Sequence, residues 1–269
     1  MTTRFLVQFV AISSHRGRPV RIPKTKRSCS RARRTFNANF TKYGKSPLFP
    51  SVLENEIPAF LADKAPGVNR INTTTPFFTP ALTAQDAVYA MWIGTNDLGV
   101  WAFLTDSQVA GKTLTDYTDC VFESLDKLYA SGGRYFVLMN AVPLNLAPLY
   151  ANDTTGGVGD NQYWPMKPTN HTAIAEQMHE FVTTVNNVYK YQTPFEVLVA
   201  GRYPGANFAI YDTWQLISDI YDSPSQYLNG TAPPVVDGYQ HHCNLNRTDC
   251  VLEGSPDSYL WYVLFPEQH

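Results

Sequence analysis

From residue 50 onward, apolar side chains follow two alternating rhythms. Residues 87–94, AVYAMWIG, form an unbroken apolar run that stops at Thr95, Asn96 and Asp97. Such a run fits a strand in a parallel sheet covered on both faces. Residues 115–130 instead set Tyr117, Val121, Leu125 and Leu128 along one side before Gly132 and Gly133, which predicts an amphipathic helix with a glycine stop. The rhythm then repeats. Residues 135–139, YFVLM, read as a second buried strand followed by turn-prone residues 140–148, and Ile174, Met178, Phe181, Val182, Val185 and Val188 stripe a helix over 172–191. Residues 207–211 read as a third strand and 213–221 as the helix after it. Upstream, Val52, Leu53, Ile57, Phe60 and Leu61 have helical spacing, with Glu54 and Glu56 early and Lys64 late as the helix dipole prefers. Residues 69–83, rich in Thr and Pro, read as a loop.

The order strand, helix, strand, helix, strand, helix predicts an α/β fold: a three-layer αβα domain whose parallel sheet is joined by right-handed crossovers. In such sheets ligands gather at the carboxyl ends of the strands. Gly94, Thr95, Asn96 and Asp97 occupy that kind of position.

Charge divides the chain. Twelve of the 21 Lys and Arg lie in residues 1–45, ahead of the first acidic residue, Glu54. The remainder has 23 acids against nine bases, a net charge of -14. The expected organisation is therefore an atypical, poorly ordered basic segment over 1–45, where the authentic start has been replaced or lost, and one domain over 46–269. A basic arm alone suits a nucleic acid or a membrane surface; the acidic body argues against a nucleic-acid partner. No apolar run is long enough to span a bilayer. Residues 1–14 carry a faint signal-peptide outline, with Arg4 ahead of the apolar residues 5–12. Six N-x-S/T acceptors, at Asn39, Asn72, Asn152, Asn170, Asn229 and Asn246, add to the case for secretion and glycosylation.

Of the four cysteines, Cys243 and Cys250 bracket a short polar loop, so a disulfide between them is expected. Zinc is the competing reading because His241 and His242 precede Cys243. Adjacent histidines seldom converge on one ion, and no second ligand pair has zinc-site spacing, so no metal is expected.

The run Trp92-Ile93-Gly94-Thr95-Asn96-Asp97 resembles the G-x-N-D block of SGNH/GDSL hydrolases, and residues 50–262 as a whole resemble fungal carbohydrate esterases that remove acetyl groups from sugars. The Asn-Ala-Val-Pro-Leu, Phe-Ala-Ile-Tyr-Asp-Thr-Trp and Ser-Pro-Asp-Ser-Tyr-Leu-Trp-Tyr segments extend the likeness. The resemblance implies a flavodoxin-like fold, hydrolysis of an acetyl or short-acyl ester, and no cofactor. It assigns Asn96 to the oxyanion hole, with Gly94 and Asp97 supporting the block. The alternative is that Asn96 only caps or turns the chain.

Three family blocks have no counterpart, one of them the block whose Gly is the family's second oxyanion donor. No Gly-Asp-Ser sequence is present, so the nucleophile is unassigned. The family's D-x-x-H-P ending meets Val263-Leu264-Phe265-Pro266-Glu267-Gln268-His269 here. If Phe265-Pro266 matches His-Pro, both triad members are missing; if His269 is the base, Pro266 stands where its orienting Asp belongs. His269 is the candidate base on the second alignment. The expectation is a monomeric, secreted ester hydrolase acting on a small ester or acetylated carbohydrate, inactive or nearly so as written. The competing class is a catalytically inactive carbohydrate-binding protein using Trp164, Trp214, Tyr221 and Tyr227 as stacking faces, against which ordinary core packing is the favoured explanation of these aromatics.

Overall fold

The computed structural model describes residues 51–64, 82–85, 87–108 and 110–264. The predicted rhythm is realised in order: α1 (Ile57–Lys64), β1 (Val88–Met91), a single helical turn α2 (Thr95–Leu98), α3 (Leu114–Ala130), β2 (Tyr135–Met139), α4 (His171–Pro194), β3 (Asn207–Tyr211) and α5 (Thr213–Asp222). A π-helical turn, Val52–Glu56, leads into α1. The basic segment, most of the 69–83 loop and His269 lie outside the described residues.

The three strands form one parallel sheet in the order β1-β2-β3, with Val88 opposite Tyr135 and Tyr135 opposite Asn207. Parallel neighbours require a crossover, and α3 and α4 supply them. Helices α3 and α4 pack on each other, α1 on α3, and α4 on β3. This is the α/β class that the apolar runs predict.

Burial departs from the sequence reading in one respect. Rather than being covered on both faces, β1 and β2 alternate: Tyr89, Met91, Phe136 and Leu138 are buried in the core, while Val88 and Tyr135 are exposed, and β3 is exposed except at the half-buried Phe208. The buried positions meet the apolar stripes of α3 and α4, which contribute Tyr117, Val121, Phe122, Leu125, Leu128, Met178, Val182 and Val185. Aromatic rings continue this core towards β3, with Phe136 stacked on Phe208 at 4.7 Å and Tyr203 at 4.8 Å from Phe208.

The N-terminus of α3 shows how local chemistry sets an element boundary. The Asp116 carboxylate accepts from the Thr113 N–H at 2.9 Å and hydroxyl at 3.0 Å, and from Lys112 Nζ at 2.6 Å. These contacts, the Lys112 hydrogen bond foremost, hold the Asp116 carboxyl near pKa 2. They also satisfy a backbone donor ahead of the helix.

A smaller module follows α5. Strands β4 (Val235–Tyr239) and β7 (Tyr259–Trp261) pair in parallel, and β5 (His241–Cys243) and β6 (Cys250–Leu252) form an antiparallel hairpin. Cys243 and Cys250 lie opposite each other in that hairpin and are bonded, as expected. The Trp261 indole N–H donates to Val236 O at 2.7 Å, tying β7 to β4. Among the described residues no helix is long and apolar enough to cross a membrane.

Candidate active site

The Gly94–Asp97 tetrad lies immediately beyond β1, at the carboxyl end of the sheet. Its shape depends on a buried pair of tyrosines. Tyr117 from α3 donates its hydroxyl proton to Ile93 O at 2.7 Å, and Tyr189 from α4 donates to the Tyr117 hydroxyl at 2.7 Å. Both rings are fully buried, which pushes both phenols upward in pKa; the charge of nearby Asp97 adds to the shift. They are neutral donors at every ordinary pH. Gly94 has φ +131, and a β-carbon there would stand 2.4 Å from the Tyr117 hydroxyl oxygen. Only glycine lets the chain make this turn against that hydroxyl.

Asn96 sits in the middle of the turn, half-buried. The residue at the N-cap of α2 is Gly94, with no side-chain cap hydrogen bond, so Asn96 does not cap this helix. Among the described residues no hydrogen bond engages the Asn96 amide, which is free to donate. Asp97 is buried beneath the turn, and Leu98 N–H closes it on Gly94 O at 2.8 Å.

The next strand end is held differently. Asn140 Nδ2 donates to Asp212 Oδ1 at 2.7 Å, while Asn140 Oδ1 accepts from the Trp214 N–H at 2.9 Å and the Thr213 hydroxyl at 2.8 Å. Asp212 in turn caps α5 by accepting from the Gln215 N–H at 3.0 Å. Asn140 is thus a latch between β2 and the β3–α5 junction. One residue on, Ala141 exchanges two 2.8 Å hydrogen bonds with the Asn186 amide of α4. Sequence reasoning missed this latch, although an Asp directly before an amphipathic helix is a capping signal.

The C-terminal stretch reaches the same end of the molecule. Leu149 N–H donates to Leu264 O at 2.7 Å, and the adjacent Tyr150 hydroxyl accepts from Val100 N–H at 3.3 Å, four residues past Asn96. Val263 and Leu264 are fully buried, so apolar side chains fill the space where the chain leaves β7. His269 and Phe265 lie outside the described residues.

Four histidines are described. His171 Nδ1 pairs with Asp153 Oδ1, an arrangement that a general base requires. Yet His171 begins α4, fifteen residues before the Asn186 that marks the level of the strand ends. At 1.5 Å per residue that is about 22 Å along the helix. His179 is exposed, His241 stacks on Tyr262, and His242 stacks on Tyr239 while facing Glu253 at 3.4 Å.

His241, Cys243 and Cys250 have ligand atoms within 4.8 Å of one another. With both sulfurs in the disulfide, they do not form a thiolate metal site. Of the aromatic stacking candidates, Trp164 is buried in the core and Trp214 packs against it; Tyr221 is half-buried and Tyr227 exposed. Trp164 therefore has no face to offer a sugar.

Among curated proteins, the chain is 43% identical over 216 residues to a protein named acetylesterase from Hypocrea jecorina. The match takes in 80% of this chain and 59% of that protein, so the chain spans less than two thirds of its relative's length. No family model matches the chain.

Proposed function

We propose that this chain carries the oxyanion-stabilising part of an SGNH/GDSL-type ester hydrolase site, directed at acetyl or short-acyl esters of carbohydrates. The observation that carries the reading is Asn96: an uncommitted amide at the carboxyl end of a parallel strand, on a turn fixed from below by Tyr117 and Tyr189. When a carbonyl is attacked, its oxygen acquires negative charge, and a preplaced amide N–H stabilises that charge more than it stabilises the neutral ester. Similarity to a protein named acetylesterase supports the ester as substrate. Gly94 and Asp97 support the turn rather than touch the ester, and His269 is retained as the candidate base.

A disulfide and exposed acceptor asparagines at Asn170, Asn229 and Asn246 support secretion and glycosylation. The second reading, carbohydrate binding without hydrolysis, is favoured by the lack of a Gly-Asp-Ser block in the sequence. Hydrolysis of a chromogenic acetyl ester separates the two. The hydrolase reading expects acceleration over buffer that Asn96→Ala removes; equal rates for the two proteins would leave Asn96 a turn residue.

A further inference from the structure

The chain has four cysteines, Cys29, Cys120, Cys243 and Cys250. Among the described residues none is a free thiol, and Cys120, on α3, is disulfide-bonded. Its partner is neither Cys243 nor Cys250, because those two are bonded to each other and a sulfur forms a single bridge. Within the chain only Cys29 remains. That cysteine lies in the middle of the basic segment, where Lys24, Lys26, Arg27, Arg31, Arg33 and Arg34 all fall within five residues of it and no acid does.

The surface of α3 around Cys120 has the opposite charge. Asp116 stands four residues before Cys120 and Glu123 three after it, so helical spacing puts both on its side of the helix, with Asp119 between them. Lys112 holds Asp116 at 2.6 Å. Asp119 and Glu123 are exposed, and among the described residues neither has an ion-pair partner. One turn further on, Asp126 accepts from the Arg202 guanidinium at 2.9 and 2.7 Å, so one guanidinium already docks along this side of α3.

We infer that Cys29 is bonded to Cys120, and that the bond seats the basic residues around Cys29 on the acidic side of α3. One S–S bond forms and one breaks: the two thiols pass their hydrogens to a disulfide oxidant such as oxidised glutathione, which leaves as two thiols. Opposite charges bring the two cysteines together before exchange, and the bond then holds the segment to the body. The basic residues are thereby engaged by the chain's own acidic surface instead of forming a free arm for nucleic acid.

The test is a non-reducing tryptic map of the full chain, reduced, re-oxidised with oxidised glutathione and capped with N-ethylmaleimide. Residues 28–31 are expected in disulfide linkage to residues 113–127, with Cys243 linked to Cys250 in the same sample. A maleimide-capped Cys29, or Cys29 linked to Cys243 or Cys250, overturns the pairing. Charge reversal tests the seating. Asp119→Lys with Glu123→Lys should slow formation of the Cys29 to Cys120 bond several-fold at low salt, where surface charges act over the longest range, and leave the Cys243 to Cys250 rate unchanged. An unchanged Cys29 to Cys120 rate, or equal slowing of both bonds, overturns it.

Discussion

Gly94 is where a single atom decides the geometry of the site. A β-carbon there meets the Tyr117 hydroxyl at 2.4 Å in a backbone conformation that other residues rarely adopt. Gly94→Ala is expected to cost about 2–4 kcal/mol, combining backbone strain with displacement of a buried hydrogen bond. Chemical denaturation measures that loss, and a change under about 0.5 kcal/mol would mean the turn relaxes freely. Lys167 gives a second residue-level expectation. Burial lowers its pKa to about 8 from 10.5, with Asp153 opposing the shift, and Nζ donates to Val158 O at 2.5 Å. Between those two values the unfolded chain holds the proton that the folded chain has released, so this group makes stability rise with pH across that window and leaves it flat below. Urea midpoints should show the rise, and Lys167→Met should remove it. The sequence marked Gly94 only through the G-x-N-D resemblance and Lys167 not at all, because the Tyr117 contact and the burial that explain them come from residues distant in the chain.

Elements were legible in proportion to their apolar period. Strands 135–139 and 207–211 appear with the predicted bounds, and α3 starts one residue early at Leu114. The α3 stripe and alternate residues of 135–139 are dictated by the core they enter, so the pattern carries the answer there, whereas 207–211 is mostly exposed and is held by its pairing with β2. The strands of the smaller module were not legible. VVDGY, HHC and CVL are too short to show a period, and they are held by long-range contacts such as Trp261 to Val236. Cysteine spacing alone predicted the hairpin's closure. Removing it as Cys243→Ser with Cys250→Ser should cost about 2–3 kcal/mol, mainly by freeing the unfolded chain. Thermal unfolding with and without the bridge tests this, and identical melting would show that the hairpin is closed by its strand pairing alone. Trp164 takes the core-packing alternative, because a large ring in a loop can turn into the core, and composition does not say which way it faces.

For the molecule as a whole, parallel strands present their carboxyl ends to one side, and the described pieces of chemistry collect there. Asn96 emerges from β1, the Asn140–Asp212 latch ties β2 to the β3–α5 junction, and Leu149 with Leu264 brings the last described residues alongside. No Gly-Asp-Ser block and no D-x-x-H-P ending occurs in the sequence, and the role proposed for Asn96 is stabilisation of charge rather than attack. The most direct test compares p-nitrophenyl acetate hydrolysis by the wild-type chain and by Asn96→Ala, with a serine-reactive phosphonate and peptide mapping on the wild type. The expected result is slow wild-type hydrolysis above buffer, no phosphonate-labelled serine, and a loss on the order of 100-fold or more, down to the buffer rate, in Asn96→Ala with folding unchanged. Rapid turnover with a labelled serine, or an Asn96→Ala protein as active as wild type, would contradict it.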